Sequence, residues 1–145
     1  MKKVRITTLC LMPLMMLAAV GPAGCGPANV VPGSDIPDDY PHELLPIYEP
    51  STVISAHTRE IIDAERYIII ALVSRDEITE VRSFYEDLDH FAGGFDRRDG
   101  GFELSFEFDD GDEAFLTIGE GGDDMASYRD EGYKTHIHIR VVFHP

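Results

Sequence analysis

The chain has 145 residues, 43% of them hydrophobic and 27% charged, a balance that suits one small globular domain with appended segments. Twelve Lys and Arg face 27 Asp and Glu, a formal charge of −15, and removal of a leader carrying Lys2, Lys3 and Arg5 leaves nine cations and a charge of −18. Nucleic-acid binding relies on clustered cations that release counterions, so this charge excludes nucleic acid as a main partner.

At the amino terminus, Lys2, Lys3 and Arg5 precede an apolar run from Ile6 to Val20 that Pro13 interrupts. About 15 residues is short for a ~30 Å hydrocarbon core and suits the apolar region of an export signal. The next residues, Gly21-Pro22-Ala23-Gly24-Cys25, resemble the lipobox of bacterial lipoproteins, in which small residues precede a cysteine that is acylated and becomes the new amino terminus. Ala23, Gly24 and Cys25 match that pattern, whereas Pro22 stands where an aliphatic residue is usual. Residues 1–24 are therefore expected to be a lipoprotein signal peptide, and Cys25 the lipidation site that ties the protein to a bilayer. Gly26 after the cysteine points to the outer membrane where the source has two. Cys10 leaves with the signal and Cys25 is taken by lipid, so a disulfide scaffold, a cysteine nucleophile and a thiolate zinc site are all excluded.

Between Gly26 and Pro50 lie six prolines, and Ser51 to His144 contains none. Proline at this density favours an extended spacer, so residues 25–50 read as a lipidated tether and residues 51–145 as a single domain. Leu44-Leu45-Pro46-Ile47-Tyr48 is apolar enough to pack on the domain's edge.

Within the domain, Thr52 to Ala56 is a short strand candidate. Tyr67 to Val73 is apolar at both parities and rich in β-branched residues, which predicts a central strand. Ser74-x-x-Glu77 reads as a capping box, followed by Ile78, Val81, Phe84, Tyr85, Leu88 and Phe91 at helical spacing up to a Gly93-Gly94 stop. Phe102 to Phe108 alternates strictly, Asp109-Asp110-Gly111-Asp112 is a hairpin turn, and Ala114 to Ile118 follows as a strand. Thr135 to Phe143 alternates again, Ile137, Ile139, Val141 and Phe143 lying opposite His136, His138, Arg140 and Val142. This order, ββαβββ, predicts a two-layer α+β domain: an antiparallel sheet of about five strands, one helix packed on one face, and the other face left to water or a partner. Residues 58–64 and 119–134 receive no assignment.

Three segments together resemble a single-domain α+β module of small bacterial lipoproteins of unknown function. Pro46-Ile47-Tyr48-Glu49-Pro50-Ser51-Thr52-Val53 matches that family's P-x-Y opening strand, with Glu49 and Pro50 replacing the usual proline and glycine. Glu80-Val81-Arg82-Ser83-Phe84-Tyr85-Glu86-Asp87-Leu88 matches its EV-x-x-FY-x-x-L helix, and Gly94-Phe95 stands for its glycine-tryptophan step. The resemblance implies the two-layer fold over roughly residues 46–143 and implies no catalytic residues.

Candidate chemistry is sparse. His136 and His138 stand two apart on a strand, which puts two imidazoles on one face, as two ligands of a zinc site require. Glu103, Glu107 or His144 would supply a third ligand; the plainer reading is that these histidines solvate the uncovered face. Asp109, Asp110, Asp112 and Glu113, and separately Asp123, Asp124, Asp130 and Glu131, offer oxygen ligands for calcium without EF-hand spacing, and the first group is already explained by a turn. Gly119 to Gly122 carries no lysine and precedes two aspartates, which repels phosphate. No serine stands in a nucleophile elbow, so no catalytic residue is assigned, no cofactor is implied, and an enzyme is not expected. The expected function is that of an envelope lipoprotein with a protein-binding or structural domain, its partner face made by Glu103, Glu107, Phe115 and Arg140 with Thr117, His136, His138 and Val142. The alternative is an envelope protein that binds zinc or calcium.

Overall fold

The computed structural model describes residues 35–60 and 65–145. The signal, Cys25 and most of the tether lie outside the described residues. Six strands form one antiparallel sheet: β1 (Ser51–Glu60), β2 (Arg66–Ser74), β3 (Phe91–Asp96), β4 (Phe102–Glu107), β5 (Glu113–Gly119) and β6 (Thr135–Phe143). Their spatial order is β1-β2-β6-β5-β4-β3. Helix α1 (Ile78–Glu86) links β2 to β3, and the β5–β6 connection holds a 3₁₀ turn (Asp123–Met125) and a short helix α2 (Ala126–Asp130). No helix among the described residues is long and apolar enough to cross a membrane. The fold is α+β with an antiparallel sheet, as the alternation predicts, but with six strands in place of five and two helices in place of one.

The extra strand replaces the end of the expected helix. The helix stops at Glu86 with no basic residue in its last turn, and Asp87 and Asp89 follow where the helix dipole disfavours negative charge. Phe91 is apolar because it pairs with Phe106 on β4 and packs its ring against it at 5.9 Å, which has nothing to do with helical spacing. Gly93-Gly94 is likewise no stop signal. A Cβ on Gly94 would come within 2.6 Å of the Leu104 side chain, so the bare backbone lets β3 close on β4. At the helix start, Ser74 is the buried last residue of β2, its hydroxyl donating to the Pro50 carbonyl, and the reciprocal cap is formed by Glu77 and Glu80. The β4–β5 hairpin turn forms where expected, with Gly111 at φ 90°.

One face of the sheet holds the core. Ile68, Ile70 and Leu72 of β2, Ile137, Ile139 and Val141 of β6, Leu116 and Ile118 of β5, and Leu104 and Phe106 of β4 are all buried there. Val81 and Tyr85 of α1 close over them. Tyr40, Leu45 and Tyr48 join the same cluster, and the Tyr85 hydroxyl accepts from the Tyr48 backbone N–H at 3.2 Å. The folded unit therefore takes in residues that proline content assigns to the tether. Leu45 is 0% exposed, an integral core residue rather than a decoration of the edge.

Candidate functional site

Alternation turns the remaining side chains to the opposite face, and strand register arranges them in rows. Ser55, Ala71, His138, Thr117 and Glu103 stand opposite one another across β1, β2, β6, β5 and β4. The next row is His57, Ile69, Arg140, Phe115 and Ser105. Phe95 on edge strand β3 pairs with Glu103 and is 60% exposed.

At one end this face is closed by the connection that the sequence leaves unassigned. Met125 is 3% exposed, it lines a crevice with Val73, Tyr128 and Tyr133, and the Thr52 and Tyr133 hydroxyls lie 3.2 Å apart. Val73 is thereby buried although it points away from the main core. His136, whose register partners are Val73 and Gly119, lies at this closed end. Burial lowers its pKa from the ordinary imidazole range, His138 adds to that shift, and Asp124 opposes it.

The centre stays open. Glu103, Phe115, Thr117, His138 and Arg140 line a depression of about 220 Å³. Arg140, directly opposite Phe115, holds its guanidinium 5.1 Å from the ring centroid. Glu103 is already engaged, 3.6 Å from Arg97. The His138 pKa is lowered first by burial, then by Arg140 and by His57. His57 brings a further feature: its Nε2 is buried without a hydrogen-bond partner among the described residues.

Three of the four residues expected on the partner face, Glu103, Phe115 and Arg140, thus meet in one depression, while Glu107 stands on the same face beside Glu113 and outside it. The expected histidine pair shares this face but lines two different depressions. His138 lines the central depression, and His136 lines another, of about 410 Å³, with Arg97, Asp99 and the Gly119–Gly122 backbone. His144 lies away from both, near Glu65 and Glu113. Among the described residues no group of three or more His, Cys, Asp or Glu is placed to hold a metal ion. Asp112 of the first acidic cluster accepts from the His144 backbone N–H at 2.8 Å, and Asp123 and Asp124 open the 3₁₀ turn.

Sequence reasoning missed His57 and Phe95. Continuing the alternation Ser55, His57, Arg59 beyond Ala56 finds the first; the second lies on the strand mistaken for a helix stop. No family model matches the chain, and neither a curated protein nor a solved structure is found to match it.

Proposed function

We propose that this chain is an exported cell-envelope lipoprotein, anchored through acylated Cys25, whose domain docks another envelope protein on its open sheet face. The observation that carries the docking half is the contrast between faces: the large apolar groups of the core face are buried or partly buried, whereas the other face presents a 60% exposed Phe95 and, lining a depression, a half-buried Phe115 and an exposed Arg140. Aromatic residues and arginine, flanked by polar groups, are the composition enriched where proteins bind proteins. The anchoring half rests on the signal-like leader and on Ala23-Gly24-Cys25. Two or three acyl chains at ~0.8 kcal/mol per buried methylene hold a protein on a bilayer stably, where one chain does not.

Two measurements test the reading. Cys25→Ser should abolish labelled palmitate incorporation and shift the chain from the membrane to the soluble envelope fraction; equal labelling of both forms would end the lipoprotein reading. Affinity capture of the lipidated protein from solubilised membranes should co-purify one stoichiometric partner, lost on Phe115→Asp. Repeated recovery of the chain alone would end the docking reading.

A further inference from the structure

The mature chain carries nine cations for 27 carboxylates, yet only four of the nine are paired with a carboxylate among the described residues. Arg66, Arg82, Arg97 and Lys134 each sit in an ion pair, with Asp39, with Glu86 and Asp96, with Asp99 and Glu103, and with Glu77 respectively. Arg129 donates to the carbonyls of Glu120 and Gly122. Arg59, Arg75, Arg98 and Arg140 form neither an ion pair nor a side-chain hydrogen bond among the described residues, and of these four Arg140 is the one that lines the central depression of the open face. The one carboxylate that shares its depression, Glu103, is turned to Arg97.

Resting on the docking reading above, we propose that the Arg140–His138 depression seats a single carboxylate side chain of the partner protein, presented on a short segment with apolar residues on either side. Arg140 supplies a guanidinium 5.1 Å from the Phe115 ring centroid, and Thr117 and His138 add a hydroxyl and an imidazole at the same place. The uncompensated charge of Arg140 favours such a group at this depression, on a surface whose overall −18 charge repels anions. The apolar flanks follow from the neighbours in the rows: Phe115 and Ile69 beside Arg140, and Phe95 beyond Glu103. A volume of about 220 Å³ equals about seven waters at ~30 Å³ each, enough for a carboxylate and its stem. A run of acidic groups fits less well, since Glu107 and Glu113 face each other in the next row and would repel a second charge.

Bringing a carboxylate to His138 also favours its charged form. The groups facing that imidazole are Arg140 and His136 on its own strand, His57 on β1 and Glu103 on β4, with Ala71 and Thr117 uncharged beside it. Burial first, then Arg140 and His57, hold its pKa down in the free protein, and an added anion opposes the two charge effects.

The test uses the full lipidated chain in detergent micelles and two probe peptides, acetyl-Leu-Glu-Leu-amide and acetyl-Leu-Gln-Leu-amide. The glutamate peptide should shift the His138 imidazole resonances saturably and raise the pKa read from them, while the glutamine peptide binds roughly tenfold more weakly or not at all. Arg140→Gln should abolish the difference between the peptides and Arg140→Lys should restore part of it. Equal responses to both peptides, or a preference that survives Arg140→Gln, would overturn the carboxylate seat. A photo-crosslinking residue placed at Glu107 in cells separates this from the docking reading. A partner crosslink lost on Phe115→Asp but indifferent to Arg140→Gln keeps the docking face and removes the carboxylate. No crosslink from that face removes both, and a crosslinked partner peptide without Asp or Glu counts against the seat alone.

Discussion

The two faces of the sheet are built from the same strands by the same alternation, yet one is finished and the other is not. On the core face, β2, β6, β5 and β4 contribute aliphatic and aromatic side chains that α1 and the segment around Leu45 and Tyr48 cover. On the open face the same strands contribute His138, Arg140, Phe115, Thr117 and Glu103, and only the His136 end is closed, by the Met125 connection. Burial of these side chains makes the core face a main source of stability. The open face can then vary in chemistry with little penalty to folding, which is where recognition is free to evolve.

The sharpest way to break that comparison is one phenylalanine on each side. Phe106 is 1% exposed and meets both Tyr85 and Phe91, so Phe106→Ala should cost about 3–5 kcal/mol. Phe115, on the adjacent strand but the opposite face, should cost under about 1.5 kcal/mol when changed to Ala, chiefly through its contact with Arg140. Chemical denaturation of the two variants measures both. Comparable losses would mean that the open face is a second core and leave it a poor docking surface.

A smaller effect tests where the folded unit begins. Leu45→Ala should cost about 2–4 kcal/mol, because a fully buried leucine leaves a cavity wherever it sits in the chain. Under about 0.5 kcal/mol, read from the same unfolding curves, would return residues 40–48 to the tether. An optical reading of the same region is available from the tyrosines. Burial raises the pKa of Tyr40 and Tyr85, and the hydrogen bond from the Tyr48 hydroxyl to Asp76 at 2.7 Å pushes Tyr48 up to about 12. In an alkaline titration these three of the six tyrosines should stay un-ionised through the ordinary phenol range until the protein unfolds.

These contrasts also show what the sequence makes legible. β4, β5 and β6 declare themselves because each has one wet and one dry face, and the same alternation places Glu103, Phe115, His138 and Arg140 together. β3 does not, since its Gly93-Gly94 step answers to the Leu104 side chain, a tertiary neighbour invisible to local pattern. The packing of Tyr40, Leu45 and Tyr48 is hidden for a different reason: among prolines there is no periodicity to read, and an aperiodic segment still packs when its apolar residues meet a groove. His57 is lost to a strand ended too early, and with it one of the groups that sets the protonation of His138.

The smallest expected effect concerns that protonation. His136 and His138 both have pKa values below the ordinary imidazole range, with burial the leading cause for each. As pH falls through ~6.5 the unfolded chain takes up protons before the folded one, so the stability these groups support is complete above that pH and declines below it. Beside burial, Arg140 and His57 oppose protonation of His138, His138 opposes that of His136, and Asp124 favours it. Between pH 7.5 and 5.5, where most carboxylates are not yet titrating, Tm should fall, and His138→Gln should flatten the fall. The slope difference between the two proteins is the quantity to measure, because the general relief of negative repulsion on acidification acts on both alike. Identical slopes would place His138 in water and remove the electrostatic coupling between it and Arg140 on which the open face depends.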